Sequence, residues 1–304
     1  MTAGRASRAL PFRRAAAAAT LALALAGTAR AQDAFSPAGD PATAAADAGA
    51  PASAPDLTHA SPGTTGLFPA LGNEAKRYGR DSIALVAAPF SWGRTDWEKA
   101  AAFGVVLGGL LAADHAIDHQ AQETRNSTTD SVSNATTQFG ATGGFALSAA
   151  LIVGGLAFQS PGVRDTGRDA LEAAVLAGLL DAAVKKISGR ERPSQSNGQT
   201  VFEPGSSNVS FASGHATVAF AVASVIAERS SGWVIPGLAW TAATLVGLDR
   251  INNHAHFASD VFAGAVLGTV TGRFLVRRHE QEATGGASIE VAPAGAGIAA
   301  RIRF

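Results

Sequence analysis

The sequence predicts an all-α protein, a helical bundle of about six core helices closed by a small C-terminal β-hairpin. Three observations predict it. Apolar segments recur at 100–113, 145–158, 170–184, 216–227, 233–248 and 261–276, separated by polar breaks. They are rich in Ala, Leu, Val and Gly, and strand signals between them are scarce. The final residues, "SIEVAPAGAGIAARIRF", switch to alternation around Pro293 and Gly297, the pattern of a short hairpin.

Taken in order, residues 1–31 read as a signal peptide. Arg5, Arg8, Arg13 and Arg14 precede the apolar run "AAAAATLALALAG", and Ala29-Arg30-Ala31 supplies a small-x-small cleavage site. An uncleaved anchor is the alternative. Residues 32–65 are Ala, Pro, Asp, Ser and Gly with almost no large apolar side chains, so they cannot bury enough surface to offset the entropy of ordering; they form a flexible linker. Residues 66–280 hold the helical domain, and 281–304 form a C-terminal tail or hairpin. The apolar segments are shorter than the eighteen or more residues that mark membrane spans, and Glu172, Asp181 and Arg273 interrupt them. Abundant Gly and Ala allow close helix approach either in a soluble core or in lipid, so the solvent of the bundle stays open.

Composition narrows the chemistry. The chain has 304 residues with 24 basic and 24 acidic side chains, so no global field attracts a polyanion and nucleic-acid binding is not expected. Cysteine is absent, which excludes disulfides, thiol catalysis and cysteine metal sites.

Three short stretches carry chemistry. In "KKISGRERP", Lys185 ends an apolar helix and Arg192-Pro193 follows on irregular backbone, because proline stops the helix. Such a pair fits an anion clamp, although basic residues also suit a helix C-terminus through the dipole. In "FASGHATVAF", Ser213 can cap a helix beginning near His215. The amides of Ser213, Gly214 and His215 would then point at an anion. In "DRINNHAHFASD", Arg250 precedes His256 by six residues and His256 precedes Asp260 by four, a spacing that on one helical turn lets the carboxylate orient an imidazole. Taken singly, each is also an ordinary capping pattern.

Taken together, K-x6-R-P, then S-G-H, then R-x5-H-x3-D, in that order, resemble the phosphatidic acid phosphatase type 2 superfamily, which includes class A acid phosphatases, lipid and prenyl-pyrophosphate phosphatases and vanadium haloperoxidases. The resemblance runs from Lys185 to Asp260. It implies that Lys185, Arg192, Ser213, Gly214 and Arg250 hold phosphate oxygens, that His256 is the nucleophile forming a phosphohistidine, that Asp260 orients it, and that His215 protonates the leaving oxygen. It implies no metal and no cofactor. Two positions depart from the family pattern: Ala212 stands where proline is usual, and Asp249 stands where serine is usual, placing a carboxylate beside Arg250 that either weakens phosphate affinity or points away. Lys186, Arg190 and His254 read as bystanders.

The expected function is a phosphatase acting on a phosphorylated lipid, membrane-associated and facing the periplasm. Four alternatives stay open: a soluble periplasmic acid phosphatase on small phosphoesters, a vanadium haloperoxidase, an inactive phospholipid-binding envelope protein, and a metal site built from His254, His256 and Asp260.

Overall fold

A computed structural model describes residues 67–137, 140–196, 200–285, 288–294 and 297–303. The signal peptide and linker expected over 1–65 lie outside the described residues. The body is all-α: α1 (Leu67–Ala87), α2 (Arg94–Thr124), α3 (Ser127–Thr137), α4 (Ala141–Ala157), α5 (Pro161–Ser188), α6 (Gly214–Arg229), α7 (Val234–Asn252) and α8 (Ala258–Ala283). Strands β1 (Ser288–Ala294) and β2 (Gly297–Arg303) follow and pair antiparallel, Ser288 opposite Arg303 and Ala294 opposite Gly297. Among the described residues there are eight α-helices, six of which fall on the expected apolar segments. The additional α1 and α3 carry mixed and polar sequences that give no continuous apolar run.

Local sequence sets the helix ends that matter. Pro161 opens α5, where its missing N–H costs nothing. Gly189 closes it in the left-handed conformation at φ 55°, with its N–H donating to the Lys185 carbonyl at 2.9 Å. A Cβ at position 189 would collide with the Glu203 backbone, so glycine is also required sterically.

α6 is the central helix: Ala216, Thr217, Val218, Ala221, Val222 and Val225 are all buried, facing α5, α7, α8 and α4 in turn. Its closest neighbour is α8, whose Gly264, Gly268 and Gly272 recur every four residues along one face. A Cβ on Gly264 would lie 2.6 Å from the Ser213 carbonyl oxygen, and one on Gly268 would overlap the Thr217 carbonyl. This stripe brings two backbones together and seats the start of α6 against the start of α8, where the site forms.

Among the described residues, two helices are long and apolar enough to cross a membrane: α2, with mean hydropathy 1.7, and α8, with 1.2. A third qualifies if α3 and α4, bent by 46°, count as one span. The expectation that every segment falls short of a span is corrected for α2 and α8, which extend well past the apolar runs at 100–113 and 261–276. Only 6% of the most apolar stretch of α2 is buried in the protein, against 50% for α8.

At the end of the bundle remote from the motifs, Asp81, Asp169, Glu172 and His279 cluster with Arg77, Arg229 and Arg278. The arginines balance the acids, so this buried network ties α1, α5, α6 and α8 together as an ionic lock.

Candidate active site

The three motifs converge where the C-terminus of α5, the start of α6 and the α7–α8 junction meet. Lys185, in the last turn of α5, donates to both carboxylate oxygens of Asp181, at 2.8 and 2.6 Å, and to the carbonyl of Ala212. That contact joins the first motif to the second directly. A Cβ on Gly214 would meet Asp181 Oδ2 at 2.9 Å, so glycine is what lets the helix start approach this ion pair. Arg192 is half-buried on extended backbone before Pro193, with no carboxylate partner among the described residues.

Ser213 is the N-cap of α6, but its hydroxyl makes no capping bond. Oγ is buried and unpartnered among the described residues, while the Ser213 N–H donates to the Asp260 carbonyl at 2.9 Å. The expected cap is corrected accordingly: Ser213 holds the position and keeps its hydroxyl free. His215, in the first turn, is held well below the ordinary histidine value, at about 4, by burial and then by the positive field of Arg250 and His256.

His256 precedes α8 rather than belonging to it. The helix begins at Ala258, and Asp260 Oδ2 accepts the Phe257 N–H at 2.9 Å, fixing the turn that presents the histidine. The expectation that His256 and Asp260 share one helical turn is therefore corrected, since a loop residue faces the helix start. Nδ1 of His256 lies 3.7 Å from Asp260 Oδ2, longer than a hydrogen bond, and has no other partner among the described residues. His256 is 4% exposed, and burial lowers its basicity while Asp260 opposes that and Lys185 and Arg192 reinforce it.

Asp249 does not point away from Arg250. It pairs with the guanidinium from the adjacent position, and Thr137 accepts a 2.7 Å bond from Arg250 Nη2. All eight residues singled out by sequence therefore sit in one region. His254 instead pairs with Asp118 of α2 at 2.9 Å, and Lys186 donates to the Gly205 carbonyl at 2.7 Å.

Sequence reasoning missed Arg190. Far from being a bystander, it is 0% exposed and donates to Asp260 Oδ1 at 2.7 Å. It also missed Asp114 and Ser210, which complete the surroundings of Asp260. No spacing marks these three, because they come from separate parts of the chain. The only local hint is the turn residue Gly189, which carries Arg190 back under the site.

Residues 167–283 match the sequence model of the PAP2 superfamily. The chain is 35% identical over 108 residues to the lipid A 1-phosphatase of Porphyromonas gingivalis, an alignment covering 34% of this chain and 21% of that protein; the chain thus spans about a fifth of the curated relative it matches. Among solved structures it is similar to Aquifex aeolicus LpxE, with 21% identity, TM-score 0.44, and coverage of 53% of this chain and 93% of that one. It is also similar to a transmembrane PAP2 type phosphatidylglycerolphosphate phosphatase from Bacillus subtilis, with 26% identity, TM-score 0.48, and coverage of 59% and 92%. Every member of the three motifs lies within residues 167–283, the stretch that matches the PAP2 superfamily model.

Proposed function

We propose that this protein is a metal-independent phosphatase of phosphorylated lipids that works through a phosphohistidine on His256. One observation carries the reading: a buried imidazole has Nδ1 turned to a carboxylate and sits within the field of Lys185 and Arg192. With Nδ1 facing Asp260, Nε2 is the nitrogen left to attack phosphorus. The phosphorus–oxygen ester bond breaks as the nitrogen–phosphorus bond forms, and His215 gives its proton to the departing alkoxide. Water activated by the now neutral His215 then cleaves the phosphohistidine, releasing phosphate and restoring both rings. Lys185, Arg192, Arg250, the Ser213 hydroxyl and the Gly214 amide hold the equatorial oxygens, so catalysis is positioning plus electrostatic stabilisation.

Lipid as substrate is supported by α2, whose apolar surface is almost wholly uncovered by protein, and by the similarity to a protein named lipid A 1-phosphatase. Membrane association follows from the same helix, and the Arg-rich leader supports export toward the periplasm.

The test uses the full chain in detergent micelles, measuring phosphate released from phosphatidate, from a glycolipid 1-phosphate and from p-nitrophenyl phosphate. Turnover of a phospholipid or glycolipid that survives a chelator and disappears in His256→Ala is the expected result, with Arg192→Ala down about 100-fold. Turnover confined to the water-soluble ester would replace lipid by small phosphoesters as the substrate class. Loss of activity on chelation would overturn metal independence.

A further inference from the structure

Arg190 is the largest fully buried side chain among the described residues. Its Nη1 donates to Asp260 Oδ1 and to Ser259 Oγ, each at 2.7 Å, and its Nη2 donates to Asp114 Oδ2 at 2.7 Å. The Phe257 ring covers the guanidinium at 4.2 Å. Asp114 comes from α2 and is itself 0% exposed, the one buried residue of that helix. It also takes the Ser259 N–H at 2.9 Å and the Ser259 hydroxyl.

The other face of Asp260 is equally determined. Oδ2 accepts the Ser210 hydroxyl at 2.6 Å and the Phe257 N–H at 2.9 Å, and looks toward His256. One guanidinium therefore stands between two carboxylates, and only one of them faces the histidine. Were Arg190 paired with Asp260 alone, its charge would cancel the carboxylate that must support a positive imidazole. A second carboxylate on the far side divides the guanidinium and leaves Asp260 with net negative character. Anchoring α2 needs no such arrangement, because Phe103 already stacks on Phe262 of α8 at 5.6 Å, and apolar contacts anchor a helix without the cost of burying ions.

We propose that Asp114, acting through Arg190, is a positioning residue that keeps the charge of Asp260 available to His256, so that a membrane-apolar helix outside the three motifs tunes the nucleophile. This rests on the reading of His256 as nucleophile. The charged and titratable groups facing His256 are Asp260 from α8, Lys185 and Asp181 from α5, His215 from α6, and Arg192 from the loop after α5. Asp114 and Arg190 act on it only from behind Asp260.

The experiment is titration of the His256 ring by nuclear magnetic resonance in the labelled full chain, assigned by its loss in His256→Ala, together with kcat and KM. Asp114→Asn, close to isosteric, should lower the His256 midpoint by about half a pH unit or more. It should also reduce kcat about tenfold with KM within about twofold of the parent. Arg190→Gln should move the midpoint the opposite way, because Asp260 regains its full charge. Loosened packing would raise both midpoints toward the ordinary value, so opposite signs separate an electrostatic relay from a structural prop. A His256 titration unchanged by Asp114→Asn, or raised by it, overturns the proposal. If Asp114→Asn fails to fold, Asp114→Ser removes the same charge with a smaller polar side chain: a lowered midpoint sustains the relay, and an unmoved or raised one sinks it. The titration needs no turnover, so absent phosphatase activity in the parent protein would refute the proposed function and leave the coupling still readable.

Discussion

Asp249 accepts a 2.8 Å hydrogen bond from Nε of Arg250, the residue next to it in the chain. The pair is buried, and Thr137 and Asn253 both donate to the same carboxylate, Asn253 at 2.6 Å. A phosphate that uses Arg250 must share it with this anion. Asp249→Ser should therefore tighten inhibition by inorganic phosphate and vanadate several-fold, since a charge-assisted hydrogen bond is worth about 1.5–3 kcal/mol and part of it is now spent within the protein. Competitive inhibition constants measure this. Unchanged constants would mean that Arg250 does not hold phosphate here.

The two histidines should separate by leaving group. His256→Ala should abolish turnover of every substrate, because no phosphoenzyme can form. His215→Ala should cost about 10²–10⁴-fold on an alkyl phosphate and far less on p-nitrophenyl phosphate, whose leaving group needs no proton. Steady-state rates on both esters, with trapping of phosphohistidine in His215→Ala, give the answer. Equal losses on the two esters would remove His215 from the role of acid.

The pH profile has a sign set by burial. His215 is held at about 4 in the free protein, so as an acid it loses its proton as pH rises through that value and kcat/KM should fall early. A bound phosphate dianion opposes the positive field of Arg250 and raises the imidazole, so kcat should persist to higher pH than kcat/KM. His256 is lowered by burial, so the rising limb, where the nucleophile becomes neutral, should lie below the ordinary histidine value. Profiles of kcat and kcat/KM on one alkyl phosphate check both statements, and coincident alkaline limbs would contradict the first.

Gly268→Val should destabilise the protein by about 1–3 kcal/mol or prevent its folding, because the new Cβ overlaps the Thr217 carbonyl across the α6–α8 contact. Gly178→Val is the matching control. A Cβ at 178 meets nothing within 4 Å, so only helix propensity changes there. Thermal unfolding in detergent compares the two, and equal midpoints would show that the helices separate without penalty.

The candidate site residues were legible in the sequence because the proposed chemistry needs specific side chains at specific offsets: Lys185, Arg192, His215, Arg250 and His256 each fall within a short motif. The helices were legible where apolar residues run together, as in α5 and α6. α3 was missed because "STTDSVSNATT" is polar throughout and is held by its own Ser and Thr hydroxyls and by Thr137 reaching Asp249. Arg190 and Asp114 were missed for a different reason. Their meaning lies in a contact spanning 76 positions of chain, and neither has a local pattern that distinguishes it from a surface charge.

The carboxylate that α2 lends to Arg190 also sets the size of the smallest functional unit. The stretch matching the PAP2 superfamily begins at residue 167 and contains every motif, yet Asp114 lies more than fifty positions upstream. A fragment trimmed to the motif-bearing stretch would leave a fully buried guanidinium short of one of its two anions, a defect of about 3–5 kcal/mol when a buried pair loses a partner. Expression boundaries and chimaeras for this protein should therefore begin before Arg94, because α2, which a motif search would discard, completes the charge balance behind His256.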